Sequence, residues 1–127
     1  MRVIMFVVIG LAISACSAPD PQTAYDRRQA VMADLMPDPA DRAGLDLVFP
    51  IYSRNDIKSF IVEYFPNQVS ADTVVARLAK VCGARNQFIG ADGQAFIDDA
   101  PEDTTIGRPD GTRMPGKKMV VDCGSPS

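Results

Sequence analysis

The chain has 127 residues, 13 basic and 16 acidic, for a formal net charge of -3, which allows one small domain. It contains no histidine, which excludes histidine-based triads, general bases and metal sites. It has no tryptophan, the best single aromatic platform for sugars or quaternary amines, and its acidic balance argues against general nucleic-acid binding.

The N-terminal stretch opens with Arg2 as a minimal positive region, followed by an apolar run, Val3 to Ile13, broken only by Gly10. That run is too short to span a bilayer, which takes about 20 residues, but suits the hydrophobic region of a secretory signal. Small residues and a cysteine follow, in the order Ile13-Ser14-Ala15-Cys16-Ser17.

Ile13-Ser14-Ala15-Cys16 resembles the lipobox of bacterial lipoprotein precursors: an aliphatic residue, two small residues, then cysteine. The resemblance covers only the first 17 residues and identifies a processing class. It implies that residues 1–15 are a lipoprotein signal peptide and that Cys16 receives a diacylglycerol thioether. Cleavage before Cys16 and acylation of the new N-terminus would follow. Several acyl chains anchor stably where one is marginal, so the product would sit on a membrane without a transmembrane helix. Ser17, where an aspartate would favour the inner membrane, looks like outer-membrane sorting facing the periplasm, with the inner membrane left open. The alternatives are an ordinary signal peptide with an incidental Cys16 or, as the weaker rival, a buried core helix.

Ser17–Gln22, with two prolines, reads as a spacer. Thr23–Met36 has helical spacing, with Tyr25, Met32 and Met36 near one face, and Pro37-Asp38-Pro39 ends it. Residues 16–43 are therefore expected to form a lipidated tether, either mobile or containing a short docking helix. A small α+β periplasmic domain is expected over residues 44–127.

In that domain Leu45, Leu47, Phe49 and Ile51 alternate along a strand that Pro50 restricts to an edge or a bend. Ser53–Asp56 is a turn. Ile57–Phe65 reads as a strand on composition, although its apolar residues also match the helical period. Ser70–Val81 is the best-specified helix, with Ser70 as N-cap, Asp72 in the first turn, an apolar stripe of Val74, Val75, Leu78, Val81 and Cys82, and Gly83 placed as the left-handed cap. Gln87–Ile97 reads as a hairpin turning at Gly90–Gly93, Asp98–Asp103 as an acidic loop, Thr104–Arg108 as a short strand, and Pro109-Asp110-Gly111 as a turn. Met114–Gly116 is irregular, and Lys117–Cys123 is a last strand with Met119, Val121 and Cys123 on one face. The fold expected is a two-layer α+β domain, one main helix on an antiparallel sheet.

With Cys16 given to lipid, Cys82 and Cys123 remain. In an oxidising compartment an even remainder suggests one disulfide between them, with two free thiols or a redox pair as alternatives; no Cys-x-x-Cys occurs.

The clustered carboxylates Asp98, Asp99, Glu102 and Asp103 match no calcium-loop spacing and read mainly as a solvated loop, against a weak cation or basic-partner site. Ser53, Ser59 and Ser70 lack an activating histidine. The glycine turns at 90–93 and 107–111 lack the strand–loop–helix setting of a phosphate loop. Arg108, Arg113, Lys117 and Lys118 could touch anionic polymers or headgroups, but a charged edge that discourages strand pairing explains them better. No catalytic or metal residue and no cofactor is assigned. The expected function is binding, as an accessory component of an envelope complex. A stand-alone inhibitor or ligand binder of the periplasm is the alternative, and an envelope hydrolase the least supported reading.

Overall fold

A computed structural model describes residues 20–127. Their elements are α1 (Pro21–Leu35), α2 (Pro39–Arg42), β1 (Leu45–Ser53), β2 (Asp56–Tyr64), α3 (Ala71–Arg85), β3 (Ala95–Gly107) and β4 (Arg113–Cys123). The strands form one antiparallel sheet in the order β1-β2-β4-β3. This is the expected small α+β domain, with α3 as the main helix on the sheet.

Helix α3 forms where its local signals agree. The Ser70 hydroxyl accepts from the Thr73 backbone N–H at 3.2 Å, satisfying one of the orphan donors of the first turn. Val74, Leu78, Val81 and Cys82 recur at helical spacing and are buried. They meet the inward residues of the sheet, among them Phe60, Val62, Met119 and Val121. Gly83 does not end this helix. The chain stays helical to Arg85, and Asn86 caps it. A Cβ on Gly83 would lie 3.0 Å from the Gly93 Cα, so glycine serves close approach to the 90–93 turn rather than a left-handed cap.

Strand β2 settles the ambiguity at residues 57–65 in favour of strand. It has an edge on neither side, and Phe60 and Val62 are fully buried. Strand β1 lies at the edge, where Pro50 removes no donor from a central ladder.

Three expectations are revised. Of the two readings of residues 16–43, the described part takes the docking helix, and residues 21–42 pack on the folded body: Asp20 caps α1, accepting from the Thr23 N–H at 2.9 Å. Helix α1 packs along β1, and Met32, Leu35 and Met36 join the buried cluster. These apolar residues are few and confined to the last turn of α1 and its cap, so the docking face is short in the sequence. Second, residues 87–97 do not make a hairpin. Residues 86–94 form a turn-rich connection fastened by side chains: Asn86 bonds both backbone groups of Ile57 and the Ile89 carbonyl, and Asp56 accepts from the N–H groups of residues 87, 88 and 89. Third, the acidic run and Met114–Gly116 are strand. They belong to one long β3–β4 hairpin, with register shifts between Ile97 and Asp99 and between Asp99 and Glu102. The irregularities absorb Pro101 on an edge strand, where its missing N–H costs no ladder bond.

Candidate functional site

A bulge in β1 turns one set of apolar side chains outward. The register slips between Leu45 and Leu47, and a slip of one residue moves every later side chain to the other face. Leu45 and Val48 are buried. Leu47, Phe49 and Ile51 stand opposite Glu63, Ile61 and Ser59, on the face away from α3. Phe49 is 53% exposed and Ile51 38% exposed. Val120, paired with Ile61, extends this face as a half-buried residue.

Beside it, Ala30, Val31 and Leu35 of α1 and Phe49, Pro50 and Tyr52 of β1 line a groove of about 540 Å³. Tyr52 is 58% exposed. At the same end of the molecule Phe88, on the loop that Asp56 fastens, is the most exposed large apolar residue described. Single exposed apolar residues are ordinary, but a contiguous set marks an interaction surface.

The opposite end is organised by a buried carboxylate. Asp46 sits in the bulge, 1% exposed. The Arg28 Nε lies 3.1 Å from one of its oxygens, and an Arg108 guanidinium nitrogen 3.9 Å from the other. Neither the Arg28 Nε nor the Asp46 Oδ1 has a well-directed hydrogen bond, so the contact is an ion pair more than a bonded fork. Burial pushes the Asp46 carboxyl above its usual range, against the pull of Arg28 and Arg108. Glu63 is raised too, first by burial and then by Asp46. Arg108 also lies over the rings of Tyr25 and Phe65, at 5.8 and 5.3 Å, and Arg28 donates to the Gly107 carbonyl. The group thus ties the start of α1 to the tip of the β3–β4 hairpin.

Cys16 lies outside the described residues. The Sγ atoms of Cys82 and Cys123 are 2.03 Å apart and their Cα atoms 5.7 Å apart, joining the end of α3 to the end of β4. The acidic run meets the lysines across the hairpin: Glu102 stands opposite Lys118, and Asp103 binds Lys117 at 2.7 Å. Of the remaining cations of the basic group, Arg108 is engaged with Asp46 and Arg113 donates to the Thr105 hydroxyl. Ser59 donates to Asp122 at 2.7 Å, Ser70 caps α3, and Ser53 is exposed at the end of β1. Gly90 and Gly93 have positive φ in a turn. Among the described residues no cluster of three or more His, Cys, Asp or Glu could hold a metal ion, and no helix is long and apolar enough to cross a membrane.

Sequence reasoning missed Asp46 and the outward turn of Phe49. Asp46 occupied a polar position of an alternating strand, and nothing local marked it as buried. The bulge that inverts the alternation has no glycine to signal it. No family model, curated protein or solved structure matches the chain.

Proposed function

We propose that this protein is a lipid-anchored bacterial envelope lipoprotein, on the periplasmic side of the outer membrane, that acts by binding a partner protein as an accessory component of an envelope complex. The lipobox resemblance at residues 13–16 supports the anchor. The observation that carries the binding role is the exposed apolar set Phe49, Ile51 and Tyr52 on an edge strand, beside Val31. A domain this small has few apolar residues to spare from its core, and the bulge directs Phe49 and Ile51 to solvent. The reading assigns no catalytic step.

The test is a photo-activated cross-linker placed at position 49 in the full chain, with capture from intact membranes. One stoichiometric adduct, lost when Ile51 is replaced by lysine, is the expected result. A cross-linker that yields no specific adduct contradicts the partner role. The groove of about 540 Å³ beside the patch supports a second reading, a small-ligand binder, since its size falls in the range of small-molecule sites. A bound small molecule in the native extract, with no protein adduct, would favour it.

A further inference from the structure

We infer that the first turn of α1 and the tip of the β3–β4 hairpin form the surface that faces the lipid headgroups, and that the exposed aromatic residues point away from the membrane. The inference rests on the lipid anchor proposed above and adds an orientation to it. Only four peptide links separate Cys16 from Asp20, the N-cap of a helix packed into the body. Fully extended, they reach about 14 Å. A long tether would leave orientation free; this one brings the start of α1 down to the bilayer.

What lies beside that start is fixed by contacts. Arg28 donates to the Gly107 carbonyl at 3.3 Å, and Arg108 covers Tyr25, so the hairpin tip shares the end of the molecule where the anchor enters. The tip presents Arg113 and Met114, the latter 38% exposed. Nearby charges nearly cancel, with Arg27, Arg42 and Arg113 set against Asp20, Asp26 and Asp110 and Arg28 and Arg108 turned to Asp46. The apposition is therefore imposed by chain length, with little electrostatic attraction, and should be insensitive to salt. Helix α1 has 15 residues and rises about 22 Å toward its C-terminal half, where Val31 and Leu35 line the groove with Phe49 and Tyr52. Beyond lies the β1–β2 turn, where Asp56 fastens Phe88. The apolar surface is thus carried to the far end from the anchor.

The absence of native tryptophan makes single-tryptophan reporters unambiguous. Lipidated full-length Met114→Trp, Arg113→Trp, Phe49→Trp and Phe88→Trp would be bound to phosphatidylethanolamine–phosphatidylglycerol vesicles carrying a headgroup spin label. Binding is read by flotation and depth by loss of tryptophan emission. Quenching at 113 and 114, little at 49 and 88, and no change with salt are expected; two tip positions guard against one misfolded variant. Floating protein quenched as strongly at 49 or 88 as at the tip would overturn the orientation and leave the anchor standing. Protein that does not float would overturn the anchor and the orientation with it.

Discussion

Removing the Cys82–Cys123 link should cost this domain a large part of its stability. The two residues are 41 apart in sequence, and cross-linking a loop of that length removes chain entropy worth about 4 kcal/mol from the unfolded state. Small domains are stable by only about 5–15 kcal/mol in total. Cys82 is fully buried and Cys123 nearly so, so truncation to alanine also loses some packing. With a urea slope of about 1–2 kcal/mol/M, the midpoint should fall by roughly 2–4 M in the Cys82→Ala/Cys123→Ala variant. The signature is non-additivity. Each single substitution already breaks the bridge, so each should cost nearly as much as the pair. Urea unfolding by circular dichroism, with Cys16→Ser in every variant to keep the chains soluble, measures all three. Single losses that simply add, or a total below about 1 kcal/mol, would show that the bridge does not stabilise the fold in this way.

Other outcomes follow from close contacts and buried charges. A Cβ on Gly116 would collide with the Ile106 side chain and lie 3.1 Å from the Tyr64 carbonyl oxygen, so Gly116→Ala should cost about 1–3 kcal/mol. Adding Ile106→Val, which removes the colliding methyl, should recover part of that loss in the same denaturation assay. The three backbone N–H groups on Asp56, that of Ile89 foremost, hold its carboxyl below the usual 3.8. Its stabilising effect is present above the unfolded value and lost as pH falls through the folded one; amides 87–89 should lose exchange protection on acidification, and unchanged protection would count against the role. Asp46 has the opposite sign. Burial raises it above 3.8, so its contribution to stability is fullest below the unfolded value and lost as pH rises through the folded one. Carboxyl-carbon NMR should place its midpoint above that of exposed aspartates. Ile51→Lys, at an exposed position, should leave the unfolding free energy within about 0.5 kcal/mol of the parent while abolishing partner cross-linking.

Elements whose signals are local were legible in the sequence. The Ser70 cap and the stripe from Val74 to Cys82 announced α3, and Met119, Val121 and Cys123 announced the inner face of β4. Pro50 left β1 an edge or a bend, and the edge is what it takes. What escaped depended on contacts between distant segments. Nothing near Gly83 foretold that the 90–93 turn would pack against it, so the glycine resembled a helix end. Asp98–Asp103 looked like a loop because its pairing partners, Lys117 and Lys118, lie across a hairpin whose length depends on tertiary structure. Helix α1 has too few apolar residues to declare its packing, and its Arg28 found Asp46 only through a bulge. The candidate surface was half legible: the alternation at 45–51 was seen, but not which face it would turn to solvent.

The proposed anchor at Cys16 is best tested by intact-mass and N-terminal peptide mass spectrometry of the membrane-extracted protein. The expected result is a chain beginning at Cys16 with the added mass of a diacylglyceryl group and an amide-linked acyl chain, both lost in Cys16→Ser. A membrane-extracted chain that retains residues 1–15, or one beginning elsewhere with an unmodified Cys16, would contradict it.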